Sequence, residues 1–122
     1  MPQNKTILIA DDDELICDLL TFVLEDNGNK VITAHTIDSI LHNINEKKPD
    51  LTLLDLTLGD RSGTEVLEKI KDTDMPVIVL SGFDSKYISE SGITKYKCVK
   101  DFLTKPVSPD TVAESVKKIL SD

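Results

Sequence analysis

The stretch LTLLDLTLGDRSG, residues 51–63, decides the fold. It opens on an apolar run, Leu51 to Leu54, without the alternation of a half-exposed strand. Such a run predicts a strand buried on both faces, as in a parallel sheet. Asp55 stands where that strand must end. Gly59, Asp60, Arg61, Ser62 and Gly63 are read as a turn, and a helical pattern follows from Thr64. Asp55 is thus a carboxylate at the carboxyl end of a central strand, where open α/β sheets bind ligands. An Asp after a strand is more often a turn or cap residue, so it gains meaning only from what surrounds it.

Working outward, TILIA (Thr6–Ala10) predicts a buried strand, closed by Asp11, Asp12 and Asp13. Leu15, Ile16, Leu19, Leu20, Phe22, Val23 and Leu24 follow at helical spacing, with Gly28 just past the end. Lys30 to His35 predicts a short strand. Thr36 can cap a helix whose inner face holds Ile37, Ile40, Leu41 and Ile44. Downstream, Thr64–Lys71 predicts a third helix and Val77–Ser81 a β-branched strand. Asp84 or Ser85 can start a fourth helix toward Ile93, weakened by Gly92. Val99–Leu103 predicts a fifth strand. Ser108, Pro109 and Asp110 then start a last helix over Val112, Val116, Ile119 and Leu120. Five strand–helix units in alternation predict a doubly wound parallel α/β sheet with helices on both faces. No repeat, low-complexity segment or linker divides the chain, so residues 1–122 are expected to form one domain.

Composition narrows the function. A net charge of −8 disfavours direct binding to nucleic acid and to anionic membrane surfaces. With two tyrosines, three phenylalanines and no tryptophan, a stacking platform for single strands is not expected either. Cys17 and Cys98 lack a CxxC spacing and are read as reduced thiols. No apolar run reaches the length of a membrane span, and the first residues lack a signal-peptide core. A cytoplasmic location is expected. Lys86, Lys95, Lys97 and Lys100, with Tyr87 and Tyr96, make a locally basic region, read as solvated surface or a partner face.

The residues at the strand ends carry the chemistry. The first strand ends in Asp11 and Asp12, the third in Asp55, the fourth in Ser81, and the fifth runs into Lys105 and Pro106. Three carboxylates at one sheet edge repel one another unless a cation joins them. Mg²⁺, hard and oxygen-seeking, suits such a set, with Mn²⁺ as a substitute. A carboxylate can also act as a nucleophile and become an aspartyl phosphate. Its added oxygens would need a donor and a cation, roles open to Ser81 and Lys105.

With ILIADDDE (Ile7–Glu14), PDLTLLDLTLGDRSG (Pro49–Gly63), PVIVLSG (Pro76–Gly82) and DFLTKP (Asp101–Pro106), the chain resembles the receiver domains of response regulators. The resemblance covers essentially the whole chain. It implies a flavodoxin-like sheet of order 2-1-3-4-5 with five helices, and an Mg²⁺-dependent phosphoacceptor of two-component signalling. Position by position, it implies that Asp55 takes the phosphoryl group. Asp11 and Asp12 form the acidic pair, and Thr57 lends a backbone carbonyl to the metal. Ser81 is the switch hydroxyl, Lys105 the site lysine with a cis bond to Pro106, and Phe102 the aromatic switch residue. The implied partners are a sensor histidine kinase or phosphotransfer protein upstream, and a downstream protein or output domain. The fourth-helix and fifth-strand face would be the one that changes, and the chain would be a monomer or weak homodimer. Catalysis would be limited to its own phosphorylation and dephosphorylation.

Some positions depart from the family pattern. Gly59-Asp60 stands where Pro-Gly is frequent, and Cys98-Val99 where Gly-Ala is frequent. Phe83, two residues past Ser81, is bulky and is expected to slow the entry of water and so autodephosphorylation. In the order 2-1-3-4-5 the second strand lies outside the site and is expected to contribute nothing. His35 and His42 have no acid or cysteine at a ligand spacing and are read as structural. Two other functions fit these residues less well. A phosphohydrolase would want a second carboxylate two residues after the nucleophile, where Thr57 stands. A nonphosphorylated interaction domain would be expected to have lost part of the set that is intact here. A dinucleotide fingerprint is absent from the first turn, ADDDE.

Overall fold

The structure, a computed structural model, describes residues 5–58, 61–82 and 92–121. In chain order the elements are β1 (Thr6–Ala10), α1 (Glu14–Asp26), β2 (Lys30–Ala34), α2 (Ile37–Lys47) and β3 (Leu51–Asp55). Next come two short strands, β4 (Thr57–Leu58) and β5 (Arg61–Ser62), then α3 (Thr64–Ile70) and β6 (Val77–Ser81). A 3₁₀ turn (Ile93–Lys95), β7 (Val99–Thr104) and α4 (Pro109–Leu120) follow among the described residues.

The main sheet has five strands, ordered β2-β1-β3-β6-β7, and every pairing is parallel. Counted along these five strands alone, the order is 2-1-3-4-5, as the resemblance implies. Burial on both faces explains the unbroken apolar runs. Ile7, Ile9, Leu51, Leu53, Ile78 and Leu80 pack with Cys17, Leu20 and Leu24 of α1 and Val112, Ala113 and Val116 of α4. The alternate residues, Leu8, Ala10, Leu54, Val77 and Val79, pack on the other side with Ile37 and Ile40 of α2 and Val66, Leu67 and Ile70 of α3. Each large side chain so buried contributes about 1.5–3 kcal/mol of transfer free energy. This two-sided core holds the strand ends in one rigid row.

Local chemistry starts the helices where the sequence predicts. Asp13 accepts hydrogen bonds from the N–H groups of Leu15 and Ile16, Thr36 from Ser39, and Ser108 from Asp110 and Thr111. Asp13 is therefore the cap of α1. Two features differ from the sequence reading. Arg61 and Ser62, read as turn residues, pair antiparallel with Leu58 and Thr57 and form a small hairpin beside Asp55. The pairing of β6 with β7 also skips a residue, since Val77 faces Val99 but Ile78 faces Asp101, which leaves Lys100 as a bulge. The expected fourth helix from Asp84 or Ser85, the Gly59-Asp60 loop, Phe83, Lys86 and Tyr87 lie outside the described residues. Ile93, where that helix was expected to end, begins the 3₁₀ turn instead. Among the described residues, no helix is long and apolar enough to cross a membrane.

Candidate functional site

The fold brings Asp11, Asp12, Asp55, Ser81 and Lys105 to the carboxyl end of the main sheet. Asp11 follows the last residue of β1, Asp55 and Ser81 end β3 and β6, and Lys105 follows β7. Asp11 is fully buried, Asp55 is 4% exposed and Ser81 1%, while Asp12 is exposed. Carboxylate oxygens of Asp11, Asp12 and Asp55 lie within 4.8 Å of one another.

Lys105 binds two of these carboxylates at once. Its Nζ donates to Asp11 Oδ2 at 2.9 Å and to Asp55 Oδ2 at 3.0 Å. Its backbone N–H donates to the Ser81 carbonyl at 2.7 Å, which fixes the residue from which the side chain reaches in. The Lys105–Pro106 peptide is cis, as the resemblance implies. Each buried carboxylate is also held by backbone. Asp55 Oδ1 accepts from the Thr57 N–H at 3.0 Å, and Asp11 Oδ1 from the Asp13 N–H at 2.9 Å. These are Asx turns, in which a carboxylate captures the amide two residues on.

The electrostatics follow from this burial. Loss of hydration pushes the Asp55 carboxyl up from its ordinary value to about 6, and the Asp11 charge adds to the rise. The Thr57 N–H and Lys105 oppose it. Burial works to lower the pKa of Lys105, but its hydrogen bonds and ion pairs with Asp11 and Asp55 outweigh that and raise it. The donor set is all oxygen, compact and anionic, and a single ammonium does not match its charge. That chemistry fits a hard divalent cation such as Mg²⁺, which Asp11, Asp12 and Asp55 could hold.

Two residues, Gly63 and His35, contact the backbone of the site in ways that sequence spacing does not predict. Gly63 approaches the Asp55 backbone so closely that a Cβ built on it would stand 2.4 Å from the Asp55 carbonyl oxygen. A glycine closing the GDRSG run was the signal for it, read only as turn chemistry. His35 lies beside Asp11, with Nδ1 2.8 Å from the Asp11 carbonyl oxygen. The residue that follows the second strand therefore meets Asp11 at its backbone, while the strand itself places no side chain in the acidic cluster. Nothing in the local sequence signals this, because the two residues are 24 apart. Phe102 is half-buried and packs against the core on the α2–α3 side of the sheet. On α1, Leu15, Leu19 and Phe22 stand 67%, 48% and 74% exposed, an apolar row that begins beside the acidic cluster.

Known proteins resemble this chain along nearly its whole length. The family model described as "Response regulator receiver domain" matches residues 7–117. The alkaline phosphatase synthesis transcriptional regulatory protein PhoP of Bacillus subtilis (strain 168) is 36% identical over 119 residues, which is 96% of this chain and 49% of that protein. The phosphate regulon transcriptional regulatory protein PhoB of Escherichia coli (strain K12) is 31% identical over 120 residues, 95% of this chain and 52% of that protein. The chain thus spans about half the length of these curated relatives. Among solved structures, a CheY-like response regulator receiver domain protein from Methanospirillum hungatei JF-1 superposes with a TM-score of 0.86 at 33% identity, covering 97% of this chain and 94% of that one.

Proposed function

Starting from a chain that belongs to the response regulator receiver domain family, we propose that Asp55 is its phosphoacceptor. The observation that carries this reading is the bridge from Lys105 to both Asp11 and Asp55. It sets a cation beside the buried Asp55 carboxylate, whose pKa is pushed up to about 6, a group ionised at neutral pH yet more basic than an ordinary aspartate. Residues 1–122 would act as one receiver unit.

In the proposed reaction an Asp55 carboxylate oxygen forms a bond to phosphorus. The bond from phosphorus to the donor's imidazole nitrogen breaks, and its electron pair stays on that nitrogen. Lys105 transfers its hydrogen bond from Asp55 Oδ2 to an oxygen of the arriving phosphoryl group while keeping Asp11. Ser81, at the end of the adjacent strand, supplies a hydroxyl donor to another oxygen. Asp11, Asp12 and the Thr57 carbonyl would join Asp55 in holding Mg²⁺, with Mn²⁺ as a substitute. The bound ion would neutralise charge on the phosphoryl oxygens. The only reactions catalysed would be the chain's own phosphorylation and dephosphorylation.

The donor would be a sensor histidine kinase or phosphotransfer protein, and the exposed row Leu15, Leu19 and Phe22 offers a protein donor an apolar surface at the rim of the site. The receiving side would be a downstream protein or output domain that senses a shift in the face around β7, with Phe102 and Ser81 as the moving residues. A cytoplasmic setting fits such partners. Intact mass after incubation with acetyl phosphate and Mg²⁺ tests the reading. One added phosphoryl group is expected, lost in Asp55→Asn and in EDTA. No addition from acetyl phosphate or from a histidine-phosphorylated donor would favour a nonphosphorylated interaction domain.

A further inference from the structure

We infer that His35 is a positioning residue for the acidic site, acting through a hydrogen bond from its imidazole to the Asp11 backbone carbonyl. The inference rests on Asp11 being part of a cation site, as proposed above.

The need for such a bond arises where β1 leaves the sheet. The Asp11 N–H still donates to the Ala34 carbonyl at 3.2 Å, continuing the β1–β2 pairing by one rung. Beyond Ala34 the strand β2 has ended, and Thr36 already caps α2. The next backbone group, the Asp11 carbonyl, therefore faces a partner strand that has turned away. A backbone carbonyl at the edge of a core needs a donor. His35 supplies it with Nδ1 at 2.8 Å, and the Cys17 thiol adds a longer contact at 3.5 Å. Because a carbonyl only accepts, the proton of this bond belongs to His35 Nδ1.

This side-chain rung holds the peptide between Asp11 and Asp12. On one side of that peptide the Asp11 carboxylate meets Lys105 and the Asp13 N–H. On the other side stands Asp12, the third carboxylate of the cluster. A rotation of the peptide would move both carboxylates against Asp55. Mg²⁺ demands near-ideal octahedral placement of its oxygen ligands, so a small rotation has a large effect on binding. His35 itself is exposed and belongs to neither hydrophobic cluster.

The test is Mg²⁺ affinity by isothermal titration in the wild type, His35→Ala, His35→Asn and His35→Gln, with thermal unfolding measured alongside. An Asn amide can place its N–H where Nδ1 stands, whereas Gln places it near the position of Nε2. The expected result is about tenfold weaker binding in Ala and Gln, as for other groups that orient metal ligands, with affinity largely restored in Asn. In the wild type, nitrogen-15 NMR of the neutral ring should find the proton on Nδ1. Unchanged affinity in Ala, equal loss in Ala and Asn, or a proton on Nε2 would each overturn the role. A lower unfolding temperature in Ala with unchanged affinity would also overturn it, leaving a structural bond only. If the wild type itself binds no Mg²⁺ at millimolar concentration, the reading of the acidic cluster fails, and the positioning role fails with it.

Discussion

Gly63 sits against Asp55 so tightly that a methyl group in its place would stand 2.4 Å from the Asp55 carbonyl oxygen and 3.0 Å from Leu56 Cα. Its φ of −61° is open to any residue, so the requirement is space and not backbone freedom. Both obstructing atoms are backbone and belong to the strand end that carries the acceptor. Gly63→Ala is expected to lower stability by about 1–3 kcal/mol, the usual range for overpacking. It should also slow phosphorylation of Asp55, since relief of the clash moves the acceptor. Urea unfolding and the rate of mass gain with acetyl phosphate check the two effects separately.

Lys105→Met leaves Asp11 and Asp55 facing each other without their shared ammonium. Removing one partner of a buried ion pair costs about 3–5 kcal/mol. The expected loss in EDTA is about 3 kcal/mol, because the lysine side chain is 20% exposed and water screens part of the effect. Saturating Mg²⁺ should recover part of it by restoring positive charge to the cluster. Unfolding midpoints with and without the ion provide the comparison.

The Asp55 carboxyl is raised in the fold from 3.8 to about 6, chiefly by burial. A group raised in this way favours the folded state while protonated. Its contribution is complete below about pH 4 and is lost as pH rises through about 6. In EDTA the stability of Asp55→Asn relative to wild type should therefore climb between pH 4 and 6 and level off above. The climb should total at most about 3 kcal/mol, from a shift of about two units. Mg²⁺ binding requires the ionised form and should weaken as pH falls below about 6. Denaturation across this pH series, with and without metal, tests both signs. A flat difference would mean that Asp55 titrates normally.

Burial, followed by the charges of Asp11, Asp18 and Asp13, pushes the Cys17 thiol up to about 11. Cys98 is also raised, again first by burial. Thiolate is the reactive form, so both residues should resist iodoacetamide in the folded protein at about pH 8. Unfolding in urea should expose both, which intact mass would register as two added labels. Rapid labelling of Cys17 in the native state would show that α1 opens at its first turns.

What was legible in the sequence shares one physical cause. Burial on both faces writes a continuous apolar run, so β1, β3 and β6 were readable, and the polar residue ending each run marked the site. Capping likewise leaves local signals, and Asp13, Thr36 and Ser108 act as their positions predict. Two-residue strands have no period to read, and so β5 passed as turn and β4 went without a strand reading. The contact of His35 left no local signal for a different reason: its partner is a backbone carbonyl, which every residue possesses, and only the register of β1 against β2 brings the two together. The tie from Ser115 Oγ to Asp101 Oδ2 at 2.6 Å, joining α4 to β7, was hidden in the same way.

The bulge at Lys100 has a meaning beyond the geometry of one domain. An open sheet ends in a row of N–H and C=O groups on which another chain can add a strand, and repeated addition builds fibrils. On β7, the edge strand next to β6, the row loses its even spacing at Lys100, and that exposed lysine puts a charge at the break. A second copy arriving there would meet both a broken rhythm of donors and acceptors and a like charge. The irregularity thus leaves this edge a poorer template for strand addition than an evenly spaced one.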